Sequence, residues 1–282
     1  MPERPDLEYV IPRLHTALAG CRITAVHPGD PVVQRLLFPG GLDVLIGRTV
    51  DRVTRRSNVV NVHLDTDVDL VLAPMLAGRF ALKEPRHKRT KDTVLALDFD
   101  NNTSLWFRDK VRMGRVVTLP KGHWEKTPGL PEVGIDVLSN AFTVDALRAL
   151  THKRREQVKL FLMDKAAFDS FGNAYADETL YAAGIHPKTR VNELADPDLV
   201  RLHAAIIRVL THARDHIEAA SPPLDKKLRD FLAVRNRKGE ACPACETPIR
   251  TAGVRGHDAF FCPQCQPDKK GRGFVDWRNT RG

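Results

Sequence analysis

Two Cys-x-x-Cys turns near the end of the chain, Cys242-Pro243-Ala244-Cys245 and Cys262-Pro263-Gln264-Cys265, are separated by sixteen residues. This is the spacing of a four-thiolate zinc site, each turn supplying two sulfurs to one tetrahedral ion, and it favours zinc over a pair of disulfides. Closed four-cysteine sites are structural. The expectation is one Zn2+ that holds a hairpin and performs no chemistry, so the function must be sought elsewhere.

The 282 residues suffice for two or three domains. Formal charge is +9, with 44 Lys/Arg against 35 Asp/Glu, which favours a polyanionic partner. That charge is concentrated: residues 221–282 hold thirteen Lys/Arg and seven Asp/Glu, a net +6. No run of about 18 apolar residues occurs, and the start MPERPDLEYV has no apolar signal core. A cytoplasmic, nucleoid-associated protein without a membrane partner is expected. Cys21, the cysteine left over, reads as a buried or half-buried thiol.

Leu7, Val10, Ile11, Leu14 and Leu18 recur as one helix face does, behind an opening rich in Pro and acid, which is favoured at a helix start. From about 21 to 118, short β-branched runs predict strands at 49–54, 59–64, 69–73, 93–98, 104–107 and 115–119. Such regular short strands suggest an antiparallel sandwich or barrel. Basic loops lie between them, at Arg55–Asn58 and at Arg86–Lys91, and Lys91 is a candidate phosphate contact. The Pro- and Gly-rich stretch 121–142 reads as a linker. A helical region follows at 143–220, broken at Ser170–Asn173, with Asn173 the expected N-cap and Gly184 beyond the next helix's end. A helix N-terminus exposed at such a turn is an anion site.

Three stretches in this order resemble the formamidopyrimidine-DNA glycosylase/endonuclease VIII family: the start Met1-Pro2-Glu3-x-Pro5-Asp6, the run Gly172-Asn173-Ala174-Tyr175-Ala176-Asp177-Glu178 with Gly184-Ile185-His186-Pro187, and the C-terminal Cys-Pro-x-Cys finger. The resemblance spans the chain. It implies an α+β multidomain fold: a catalytic β-sandwich at 1–120, the linker, a helix–two-turn–helix DNA-binding domain at 143–235, and a zinc β-hairpin at 236–282.

It also implies an enzyme, expected to be a monomer, that grips duplex DNA carrying a damaged base or abasic site and flips the base out, because the glycosidic carbon is shielded inside the stack. Pro2, once Met1 is removed, would offer a secondary amine with an α-amino pKa of roughly 8, the nucleophile for a Schiff base. Glu3 would carry protons. Met75 matches the residue filling the gap left by the flipped nucleotide, Arg112 the arginine facing the orphaned base, and Met113 stands where the family usually has Phe. Asn173 matches the phosphate-gripping Asn of the turn.

Two departures bear on the lyase step. Asn58 stands where the family has a phosphate-contacting Lys, and His257 where the finger has an Arg. Asparagine carries no charge, and a histidine side chain is mostly uncharged at pH 7. The alternative is a damage- or structure-specific DNA binder of the same fold with weak or lost lyase activity. The short segment 221–240 tilts the expected specificity towards an endonuclease VIII-like or divergent one.

Overall fold

The computed structural model describes residues 2–36, 39–123, 133–169 and 171–268. Part of the expected linker, at 124–132, and Ser170 of the expected break lie outside the described residues. The chain divides into two compact units, Met1–Glu132 with His216–Leu228, and Val133–Asp215 with Arg229–Gly282.

The first unit opens with helix α1 (Arg4–Leu18) and continues through nine strands, β1 (Ile23–Pro28), β2 (Gln34–Leu36), β3 (Val50–Arg56), β4 (Val59–Leu64), β5 (Val68–Ala73), β6 (Arg79–Lys83), β7 (Thr93–Phe99), β8 (Ser104–Arg108) and β9 (Arg115–Pro120). They form a β-sandwich of two sheets, ordered β1-β7-β8-β6 and β2-β9-β5-β4-β3. Only the short β2–β9 pair is parallel. The β-branched runs form strands because their side chains are buried on pleated surfaces; β5 is buried at all six positions, as a strand covered on both faces must be. The six strands expected from sequence are present. The three that carry weaker signals, β1, β2 and β6, complete the sheets by pairing with them. Helix α1 lies on β3, where the Val53 N–H donates to His15 Nδ1 at 3.3 Å.

The second unit packs α2 (Val144–Thr151), α3 (Val158–Leu162), α4 (Asn173–Ala183) and most of α5 (Asp196–Ala220) around Phe161, Phe168, Phe171, Tyr175, Leu202 and Ile206. One boundary corrects the reading above: the N-cap of α4 is Gly172, in extended conformation, and Asn173 is the first helical residue. Gly184, at φ 67°, ends the helix in the left-handed conformation, which glycine adopts without steric cost. The hairpin of β10 (Arg250–Val254) and β11 (His257–Phe261) turns at Arg255 and Gly256, both with positive φ, the requirement of a type I′ turn. Gln266, fully buried, ties the finger to the helices: its Oε1 accepts from the Cys262 N–H at 3.0 Å and its Nε2 donates to the Ile185 carbonyl at 2.8 Å.

Candidate nucleic-acid interface and metal centre

Pro2 is buried and Glu3 only 5 % exposed, so this pair lies in the interior at the head of α1. Glu3 is the N-cap of α1. Its N–H donates to Asp6 Oδ2 at 2.8 Å, and both carboxylates lie where a helix N-terminus favours negative charge. Two arginines converge on Glu8, one turn further along α1. Arg4 Nε is 3.0 Å from Glu8 Oε1, and Arg55 Nε reaches the same oxygen at 3.5 Å.

Asn58 sits in the two-residue β3–β4 turn, where Ser57 has φ 51°, and is 1 % exposed. Ser57 Oγ donates to its Oδ1 at 3.4 Å. The adjacent charges at this turn are therefore those of Arg55 and Arg56.

Two loops of the first unit present apolar side chains to solvent. After β5, Met75 has φ 41° and is half-buried, while Leu76 beside it is 59 % exposed. The loop closes because Gly78 lies so near Pro74 that any Cβ there would come within 2.6 Å of it. After β8, Asp109 accepts from the N–H groups of Val111 (3.0 Å) and Gly114 (2.5 Å). That knot forces Arg112 to φ 58° and leaves Val111 and Met113 exposed on either side of it. Arg112 Nη1 is 2.7 Å from Asp30 Oδ2, an ion pair invisible in the sequence pattern. Lys91 is exposed in the loop before β7.

In the second unit Asn173 is half-buried at the head of α4, and its buried Oδ1 has no partner among the described residues. His257 and Arg255 are exposed at the hairpin tip. Behind the tip lies an ion cluster that sequence reasoning missed: Lys159 Nζ is 2.6 Å from Asp177 Oδ1 and Arg235 Nη1 2.8 Å from Asp177 Oδ2. Both cations also donate to the Asp258 carbonyl, at 2.5 and 3.0 Å. Burial pulls the Lys159 ammonium below the ordinary lysine range, and Asp177 opposes that shift. Next to it, the Glu178 carboxylate accepts from three successive N–H groups, Ala233, Val234 and Arg235, at 2.7 to 3.0 Å. The Asp177-Glu178 pair therefore fixes the segment that enters the finger.

The four cysteines converge. Their sulfurs all lie within 4.8 Å of one another, with pairs at 3.8 Å (Cys242–Cys265), 3.4 Å (Cys245–Cys262) and 3.5 Å (Cys245–Cys265). Tetrahedral coordination at a Zn–S length of about 2.3 Å requires S···S separations of about 3.8 Å, so the donor set fits. Within the turns, the Ala244 N–H points at Cys242 Sγ (3.5 Å) and the Cys265 N–H at Cys262 Sγ (3.4 Å), which stabilises thiolate charge. Cys21, outside this cluster, is half-buried.

Residues 1–116 match the formamidopyrimidine-DNA glycosylase N-terminal domain, 133–220 the formamidopyrimidine-DNA glycosylase H2TH domain, and 239–267 a zinc finger found in FPG and IleRS. The formamidopyrimidine-DNA glycosylase of Desulforamulus reducens is 30 % identical, over 95 % of this chain and 100 % of that protein. Among solved structures, the MutM (Fpg) protein of Thermus thermophilus superposes with TM-score 0.80 at 30 % identity, covering 94 % of this chain and 98 % of that one. The Lactococcus lactis Fpg, solved with DNA containing an abasic site, shares the fold at TM-score 0.84 and 23 % identity, covering 95 % and 100 %. With three domains matched in order and nearly full-length similarity, the chain belongs to the formamidopyrimidine-DNA glycosylase/endonuclease VIII family.

Proposed function

We propose that this chain is a DNA repair glycosylase that flips a damaged base out of duplex DNA, excises it, and cleaves the abasic site through the Pro2 amine. The observation that carries this reading is the placing of Pro2 and Glu3 together in an interior site at the head of α1, in a chain whose relatives are formamidopyrimidine-DNA glycosylases. With Met1 removed, the Pro2 nitrogen attacks the sugar C1′ and the C1′–base bond breaks. The base leaves with a proton, the nitrogen gives up its own proton, and its lone pair opens the C1′–O4′ bond as the Glu3 carboxyl gives a proton to O4′. The resulting iminium withdraws electrons, so a C2′ proton is lost and the 3′ phosphate departs; water then releases the amine. Burial suits this chemistry because charge is handled more strongly away from bulk water.

Binding is assigned to both units. Met75 and Met113 are the apolar wedges and Arg112 the group facing the orphaned base, roles that need filling and hydrogen bonding at an unstacked step. Lys91, the Asn58 turn, Asn173 and His257 are assigned to phosphate contacts. The four thiolates are assigned one Zn2+ of structural role, which holds the hairpin when bound. The protein is taken to work as a monomer in the cytoplasm, on the nucleoid.

The second reading, a damage-specific binder with weak elimination, rests on Asn58, an uncharged and buried side chain where a catalytic cation would be wanted. A panel of oxidised, ring-opened, alkylated and crosslinked duplexes, scored separately for base release and strand scission, separates the two. Base release from at least one lesion supports the glycosylase; tight binding with neither product supports the binder.

A further inference from the structure

Strands β1 and β8 both run antiparallel to β7, one on each side of it. Pro28 pairs with Leu95 and Arg108 with Thr93, so the loops that follow β1 and β8 leave the sheet together at the start of β7. The first of these loops is rigid. The Gly29 N–H donates to the Val94 carbonyl at 3.0 Å, and a Cβ on Gly29 would come within 2.6 Å of the Thr93 carbonyl oxygen. Asp30 caps a single 3-10 turn, Pro31–Val33, its Oδ1 accepting from the Val32 N–H at 2.9 Å, and Pro31 fixes the next φ.

The second oxygen of Asp30 meets the second loop. Oδ2 lies 2.7 Å from Arg112 Nη1, with the Asp30 side chain 18 % exposed and that of Arg112 60 % exposed. The Asp109 knot fixes the backbone of Arg112 but not its long side chain, which carries the rotamer freedom of any exposed arginine. Asp30 removes much of that freedom. One guanidinium donor is spent on the carboxylate, and the others stay available on the exposed side, where they read only hydrogen-bond acceptors. An exposed arginine without such a partner finds a phosphate, a contact that positions DNA and carries no sequence information.

We propose that Asp30 is a positioning residue that aims Arg112 at the base opposite the lesion, and so sets this chain's selectivity among opposing bases. This rests on the assignment of Arg112 to the orphaned base above. The two carboxylate oxygens divide the work: Oδ1 shapes the loop and Oδ2 sets the selectivity. Asp30 also keeps a negative charge beside the phosphates, so the contact that gains selectivity costs overall affinity.

The test measures binding of full-length protein to four abasic duplexes that differ only in the base opposite the abasic site. Binding, read by fluorescence anisotropy, does not require the Pro2 chemistry. Asp30→Asn keeps one oxygen for the Val32 N–H, since Asn caps as well as Asp, and turns towards Arg112 an NH2 group that cannot pair with it. It is expected to narrow the spread of dissociation constants between the best and worst opposing base by roughly tenfold, the scale of one bidentate arginine contact, while the mean affinity holds or rises. Asp30→Ser, which also caps the turn, is expected to do the same and guards against an effect peculiar to Asn. In an Arg112→Ala background, Asp30→Asn is expected to leave the spread unchanged. If Asp30 serves the fold alone, its variants lower Tm and weaken all four duplexes alike with the spread kept; that result overturns the proposal, as does an equal effect of Asp30→Asn with and without Arg112. A spread as wide in Arg112→Ala as in wild type sinks the orphaned-base assignment and the proposal with it. A spread lost in Arg112→Ala but kept in Asp30→Asn sinks the proposal alone.

Discussion

The finger and the N-terminal site both gather reactive groups, and they are assembled by opposite means. In the finger, four sulfurs within 4.8 Å come from two turns of the same local design, and backbone N–H groups inside each turn already face the sulfurs. At the N-terminal site, Pro2 and Glu3 are neighbours in sequence, but what surrounds them arrives from Arg55 on β3, Phe80 on β6 and the segment after α5. A local chelate stands or falls with one ion. A site built from distant elements is adjusted contact by contact, and its components should separate under mutation.

The sharpest way to break the comparison is to remove the ion. Chelation, or Cys262→Ser, is expected to unfold the finger in a single step, because structural zinc in such sites contributes on the order of 10 kcal/mol of folding free energy; metal analysis and loss of DNA affinity report it. A finger that keeps its hydrogen-exchange protection without metal would contradict the local-chelate account. At the other site, Glu3→Gln is expected to slow base release by roughly 10²- to 10⁴-fold, the usual worth of a positioned proton carrier, with DNA affinity changed little. An equal loss of affinity and turnover would instead mark Glu3 as a structural cap.

Asp177→Asn tests whether the finger leans on anything besides its metal. It leaves Lys159, fully buried, without its carboxylate partner, a loss of about 3–5 kcal/mol by analogy with other broken buried pairs, read as a lower Tm and as an altered hairpin tip in exchange measurements. The smallest effect concerns the Arg13–Glu218 pair between α1 and α5. The hydrogen bond from Arg13 holds the Glu218 carboxyl below the ordinary glutamate range. A depressed carboxylate stabilises the fold above its unfolded pKa and loses that contribution as pH falls through its folded pKa. The Tm gap between wild type and Glu218→Gln should therefore be small at pH 7 and vanish as the solution is acidified through the carboxylate range. A gap that persists at low pH would show that packing, and not the ion pair, seats the segment.

How much was legible follows the same division. The cysteine spacing, the β-branched runs of β3, β4 and β5, and the glycine that ends α4 are local signals, and the structure contains each of them. The strands β1, β2 and β6 were not legible because pairing with neighbours, rather than their own composition, makes them strands. The same holds for Asp30 beside Arg112, for the Lys159–Asp177–Arg235 cluster, and for the contacts of Ser221–Leu228 with α1 and β8, of which the short segment 221–240 gives no sign. Residues 82 or 117 positions apart, as Asp30 and Arg112 or Arg108 and Asp225 are, carry no mutual trace in one sequence. Even the Asn173 cap, shifted by one to Gly172, shows the limit: Asn is the stronger N-cap by preference, and the backbone placed it one residue inside the helix.

The central claim is that the Pro2 nitrogen is the nucleophile. Full-length protein, shown by mass to begin at Pro2, is incubated with abasic duplex and borohydride, and the adduct is digested and mapped. The account predicts one covalent DNA adduct on the N-terminal proline. An adduct on a lysine side chain, or none at all from protein that has lost Met1, would contradict it.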